Sequence, residues 1–102
     1  MWDWLRNLAA RPRLPHVTIT LYTRRGCHLC DVAWERLRRE RRRHGFRLSA
    51  VDVDGDPDLV RQYGSVVPVV TVNGKVRFRG VVHPALLARL LTAEARSAPT
   101  TG

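Results

Sequence analysis

The chain has 102 residues, enough for one domain with a single modest core. Hydrophobic residues make up 44% and charged residues 26%, the balance of an ordinary globular protein, and no stretch approaches the roughly 20 apolar residues of a membrane span. The formal charge of +9 rests almost wholly on arginine, with Lys75 the only lysine.

Residues 1–16 stand apart as an N-terminal arm. Trp2, Trp4, Leu5 and Leu8 space as one or two turns of amphipathic helix, ended by Pro12 and Pro15, and are expected to cap the domain's own core. Asp3 lies among the first residues and no apolar region precedes Arg11-Pro12-Arg13, so the arm does not read as a secretory signal and a cytoplasmic location is expected. A domain over 17–95 and a disordered tail over 96–102 complete the division.

Within the domain, Val17-Thr18-Ile19-Thr20-Leu21-Tyr22 alternates apolar and polar residues and predicts a strand, broken by Thr23-Arg24-Arg25-Gly26. From Cys30 the apolar residues fall at helical spacing (Cys30, Ala33, Trp34, Leu37), predicting a helix over 27–44 with Gly45 as its stop. A strand over 46–53 follows. Asp56 then suits an N-cap and Pro57 the first position of a short helix through Tyr63. Asp52-Val53-Asp54-Gly55-Asp56 superficially resembles a calcium loop, but its glycine is misplaced and its twelfth position is Tyr63, where a bidentate Glu is needed. Strands over 66–72 and 76–78 flank Asn73-Gly74, a strong hairpin signal. A last helix over 84–94 puts Leu86, Leu87, Leu90 and Leu91 on one face. The order is β-α-β-α-β-β-α.

The chemistry concentrates at Cys27-His28-Leu29-Cys30, where the first strand turns into a helix. Both cysteines fall in the first helical turn, whose unpaired N–H groups and dipole favour negative charge. A thiolate is the nucleophilic form of cysteine, and this position together with nearby cations lowers a thiol's pKa. Arg24 and Arg25 supply the cations, and a protonated His28 adds to them. A C-x-x-C beside a βαβ pattern, with no other cysteine, reads as a redox dithiol. Two bland readings stand beside it: inert buried thiols, or half of a metal or iron–sulfur site shared with a second chain. Four ligands are needed for a closed zinc site, and His16, His28, His44 and His83 are not paired at ligand spacing. No metal is therefore assigned to this chain alone. Cys30 lies on the apolar helix face and is expected to be buried; no carboxylate in 17–22 is placed to take its proton.

The densest basic run, Arg36 to Arg43, falls on the solvent faces of the same helix, with Glu35 and Glu40 as i,i+3 or i,i+4 partners and no interleaved aromatics. It reads as a solvated face that steers acidic partners or anionic thiols, not as a specific nucleic-acid site. Pro68 interrupts the run Val66-Val67-Pro68-Val69-Val70, where proline must start a strand or sit at an edge.

T-L-Y-T-R-R-G-C-H-L-C-D and S-V-V-P-V-V-T-V-N-G, in this element order, resemble the glutaredoxin-like branch of the thioredoxin superfamily over 17–91. The resemblance implies a thioredoxin-like α/β fold, a four-stranded mixed sheet with flanking helices. It implies a monomeric thiol-disulfide oxidoreductase in which Cys27 attacks and Cys30 resolves. A cis Val67–Pro68 bond is implied next to the cysteines, with Val67 and Pro68 binding substrate alongside Arg24, Arg25 and His28. Disulfide-containing proteins or glutathionylated molecules would be substrates. No bound cofactor is implied, with glutathione or a thioredoxin-reductase-like flavoenzyme as reductant. Gly80-Val81-Val82-His83 lacks the glycine pair and acidic residues that anchor glutathione in that branch, so weak glutathione affinity is expected.

Overall fold

Alternation along the first strand decides the layout of the molecule. In the computed structural model, which describes residues 13–96, Ile19 and Leu21 point into the core while Thr18 is exposed and Thr20 and Tyr22 are half-buried on the opposite face. The elements are β1 (Thr18–Thr23), α1 (His28–His44), β2 (Arg47–Asp52), a 3₁₀ turn (Val53–Gly55), α2 (Pro57–Tyr63), β3 (Val69–Val72), β4 (Lys75–Arg79) and α3 (Pro84–Arg96). The sheet runs β2-β1-β3-β4: β1 is parallel to β2 and antiparallel to β3, and β3 is antiparallel to β4. This is the expected β-α-β-α-β-β-α order with a four-stranded mixed sheet.

One core cluster joins Ile19, Leu21, Val70, Val72 and Phe78 of the sheet to Ala33 and Leu37 of α1 and Leu87, Leu90 and Leu91 of α3. Leu14 belongs to it too. It is fully buried, and its N–H donates to the His44 carbonyl at 2.7 Å. The packed domain therefore begins before the boundary expected at residue 17, because a leucine that caps the end of α1 is core and not arm. Trp2, Trp4, Leu5, Leu8 and the residues after 96 lie outside the described part.

Several bounds differ from expectation for local reasons. β2 ends at Asp52, one residue early, because the Asp52 carboxylate accepts the Asp54 N–H at 2.9 Å and bends the chain into the 3₁₀ turn that buries Val53. β3 begins at Val69 instead of Val66: Pro68 has no N–H for the ladder, and the Val66 N–H donates to the Tyr63 carbonyl at 2.9 Å. The hairpin closes as its dipeptide demands, with Asn73 and Gly74 both at positive φ and the Asn73 side chain accepting the Thr18 N–H at 2.8 Å. α3 continues to Arg96, past the expected Glu94 and into the stretch assigned to the tail.

The arginine run of α1 is not uniformly solvated. Arg36 is half-buried and donates to the Val82 carbonyl at 2.6 Å, tying α1 to the β4–α3 connection. Farther along, Arg38 pairs with Glu35 at 3.2 Å and Arg43 with Glu40 at 3.6 Å on the exposed side, as i,i+3 spacing allows.

Candidate active site

The site is assembled at one end of the sheet. β1 runs toward this end and β3 starts from it, Tyr22 being paired with Val69 and Val69 with Arg79. The turn leaving β1, the loop entering β3 and the turn leaving β4 are thereby brought to the same edge. These carry the cysteine pair, Val67-Pro68 and Gly80-Val81.

The turn out of β1 passes through Gly26 at φ 75°, a left-handed conformation that costs an L-residue about 1–2 kcal/mol. Gly26 delivers Cys27 to the N-cap of α1 in extended geometry (φ −96°, ψ 103°), where its sulfur accepts the Cys30 backbone N–H at 3.2 Å. The sulfur thus occupies the position that a Ser or Asp oxygen takes at an ordinary helix start. An N–H aimed at sulfur and the positive end of the helix both favour a thiolate there once the pair is reduced. Cys27 and Cys30 are joined as a disulfide, with their Cα atoms 5.2 Å apart. Cys27 is half-buried, whereas Cys30 is 1% exposed in the core beside α1 residues Ala33 and Leu37. The burial expected for Cys30 is what the structure has. His28 and Leu29 stand exposed between the two cysteines, and Leu29 is 47% exposed.

On the facing loop the Val67–Pro68 peptide is cis, Pro68 is buried and Val67 half-buried. The Pro68 carbonyl accepts the Gly80 N–H at 2.8 Å, which locks this loop to the end of β4. Two of the large apolar side chains most open to solvent, Val66 and Val81, lie in these loops, so with Leu29 they give the cysteine end of the molecule an apolar rim.

The three basic residues expected at the site have different placements. Arg25 and His28 are exposed on the cysteine turn. Arg24, expected beside the thiolate, has all three side-chain nitrogens engaged elsewhere. Nε and Nη2 donate to the Asp54 carboxylate (2.8–3.1 Å) and Nη1 donates to the Gly64 carbonyl at 3.0 Å. Hydrogen bonds from Arg24 hold the Asp54 carboxyl below the usual carboxylate range, and the same pairing raises the Arg24 guanidinium.

Asp54 and Gly64 were not singled out by sequence reasoning. A faint signal existed in the run 52–56. Asp52 and Asp56 each cap the N–H two residues on, at 2.9 Å, while Asp54 has no such duty and is free to face another element. Tyr63, before Gly64, lies against Tyr22 of β1 with ring centroids 4.9 Å apart. Among the described residues no group of three or more His, Cys, Asp or Glu is placed to hold a metal ion.

This geometry has relatives. A structural-genomics target protein from X. campestris superimposes with a TM-score of 0.62 at 33% identity, covering 74% of this chain and 96% of its own. A protein from Nitrosomonas europaea gives 0.64 at 26% identity, over 72% of this chain and 89% of its own. A thioredoxin from Halobacterium salinarum gives 0.62 at 17% identity, over 93% and 86%, a likeness of fold. An uncharacterized protein of Mycobacterium tuberculosis (strain H37Rv) is 34% identical over 62 residues; the match takes in 56% of this chain and 64% of that relative's length. The family model described as Glutaredoxin-like domain (DUF836) matches residues 18–92. With a thioredoxin fold, a cysteine pair at the start of α1 and a family match over most of its length, the chain belongs to this glutaredoxin-like family.

Proposed function

We propose that the protein is a thiol-disulfide oxidoreductase that passes two electrons between its Cys27–Cys30 pair and disulfides of other molecules. The observation that carries this reading is the asymmetry of the pair. One sulfur is half-exposed at a helix N-cap under a backbone N–H, and the other is buried three residues later within bonding reach.

The half-exposed Cys27 attacks, as a thiolate, one sulfur of a substrate disulfide; a Cys27–substrate disulfide forms and the first substrate thiolate leaves. Cys30 then loses its proton and attacks the Cys27 sulfur. The intramolecular disulfide forms, the second substrate thiolate leaves, and the two substrate thiolates take up two protons. The substrate is reduced by two electrons and the cysteine pair oxidised by two. A two-electron donor, glutathione or a flavoenzyme of the thioredoxin-reductase kind, returns the pair to the dithiol. Val67 offers its backbone to an extended substrate beside the cis Pro68, Arg25 carries charge and His28 an imidazole at the rim, and Leu29, Val66 and Val81 supply apolar contact. A metal or iron–sulfur module built from the pair gains no third ligand among the described residues.

The test is the reduction potential of the Cys27–Cys30 pair, with turnover compared under glutathione and under a thioredoxin-reductase system. A reversible two-electron potential and turnover lost in Cys27→Ser are expected. On a glutathionylated substrate turnover is expected to be slow, and less sensitive to Arg77→Ala than to Cys27→Ser, because Arg77, exposed on β4, offers a flexible charge and not the fixed geometry of a backbone anchor. Rapid deglutathionylation at micromolar substrate would show that the Gly80 region anchors glutathione after all. Absence of any disulfide turnover would refute the redox reading.

A further inference from the structure

We infer that Arg24 is a positioning residue that holds the substrate-docking loop in register with the cysteine turn. The inference rests on the redox reading above for its consequence in catalysis. Its structural content stands on geometry alone.

Three segments meet on one guanidinium. Arg24 itself sits in the turn between β1 and Cys27. Nε reaches Asp54 Oδ1 and Oδ2 at 3.1 and 3.0 Å, and Nη2 reaches Oδ1 at 2.8 Å, a fork on the 3₁₀ turn after β2. Nη1 donates at 3.0 Å to the carbonyl of Gly64, the C-cap of α2. Gly64 immediately precedes Ser65-Val66-Val67-Pro68, and the Val66 N–H bonded to Tyr63 folds that loop back on the same cap. Moving the cap therefore moves Val67. The glycine fits this role for reasons of space and not of φ, which is an ordinary −54°. A Cβ at Gly64 would lie 2.6 Å from the Val60 carbonyl oxygen and 3.3 Å from Arg24 Nη1.

Charge bookkeeping argues against a direct effect on the thiolate. The Asp54 carboxylate, ionised at neutral pH and with its pKa pushed lower still by the bond from Arg24, neutralises the guanidinium, so the pair presents a dipole and not a net cation to Cys27. Mutual geometry is what remains. Lysine cannot replace it, because an ammonium has no planar fork to hold a carboxylate and a carbonyl together.

The experiment combines kinetics with amide hydrogen exchange on the full chain. Arg24→Gln is expected to raise KM for a peptide disulfide by about tenfold, inside the roughly hundredfold that a misplacement of about 1 Å far from the chemistry can cost, with kcat within about twofold. Arg24→Lys should not rescue it, and adding Asp54→Asn to Arg24→Gln should add little, since both break one clasp. Exchange at Val66, whose N–H bonds Tyr63, should quicken in Arg24→Gln while Val70 and Leu87 stay protected, which also shows that the variant is folded. Unchanged exchange at Val66 overturns the inference whatever the activity. So does a shifted pH profile of Cys27 alkylation with KM unchanged, which would assign Arg24 to the thiolate by charge. If the wild type reduces no disulfide but the loop still loosens, the clasp stands and the redox reading falls.

Discussion

Gly26 is the hinge on which Cys27 reaches its capping position, and its replacement separates backbone conformation from contact. At φ 75° an L-alanine meets the left-handed penalty of about 1–2 kcal/mol. No heavy atom lies within 4 Å of the Cβ it would add, so no steric term is superimposed. Alanine also restricts the unfolded chain, an offset of about 0.4–1 kcal/mol. The net cost of Gly26→Ala is then about 1 kcal/mol, or a fall in Tm of about 5 °C for a domain of this size. D-alanine at the same position avoids the first contribution and keeps the second, so it should raise stability by about 0.4–1 kcal/mol. Ligation at the Gly26–Cys27 junction gives access to that variant, and scanning calorimetry of the oxidised proteins reads both. Equal destabilisation by the two enantiomers would refute the reasoning, since a penalty set by positive φ falls on the L form alone.

Two further outcomes follow from the structure. Leu14→Ala should lower unfolding free energy by about 2–5 kcal/mol in urea denaturation, the range for truncating a buried leucine, whereas Leu86→Ala, at a side chain 48% exposed, should stay within about 0.5 kcal/mol. A small effect at Leu14 would return it to the arm. The Arg24–Asp54 clasp should open in acid only. The folded-state pKa of Asp54 is depressed, so its contribution is complete above the ordinary carboxylate value of about 3.9 and is lost as pH falls through the lower folded value. Exchange at Val66, corrected for its chemical pH dependence, should be flat from about pH 5 to 8 and rise below about pH 4. The acid rise should vanish in Asp54→Asn.

Much of the fold was legible because its signals are local. Alternation in β1, the spacing of Cys30, Ala33 and Leu37, the Asp56-Pro57 helix start and the Asn73-Gly74 turn each specify one element without help from the rest. The cysteine turn was legible for the same reason: both sulfurs lie within one helical turn of each other. What sequence left hidden is long-range. Leu14 looks like part of a proline-flanked arm until the end of α1 closes over it. Arg36 is indistinguishable in sequence from its arginine neighbours, and only the β4–α3 connection makes it a structural donor. Arg24 is the sharpest case. Proximity to Cys27 in sequence suggested a cation for the thiolate, whereas its partners are 30 and 40 residues away and the nearer of them, Asp54, neutralises it. An arginine's reach exceeds what chain distance conveys.

The central claim is that Cys27 is the attacking sulfur and Cys30 the resolving one. Its most direct measurement is mass spectrometry of reduced Cys30→Ser and Cys27→Ser after each meets a peptide disulfide at neutral pH. Cys30→Ser should accumulate a stable adduct of one peptide thiol on Cys27, because the buried partner that would release it is gone. Cys27→Ser should form little adduct, since Cys30 is shielded in the core. Rapid adduct formation on Cys30 in Cys27→Ser, or none on Cys27 in Cys30→Ser, would contradict the assignment.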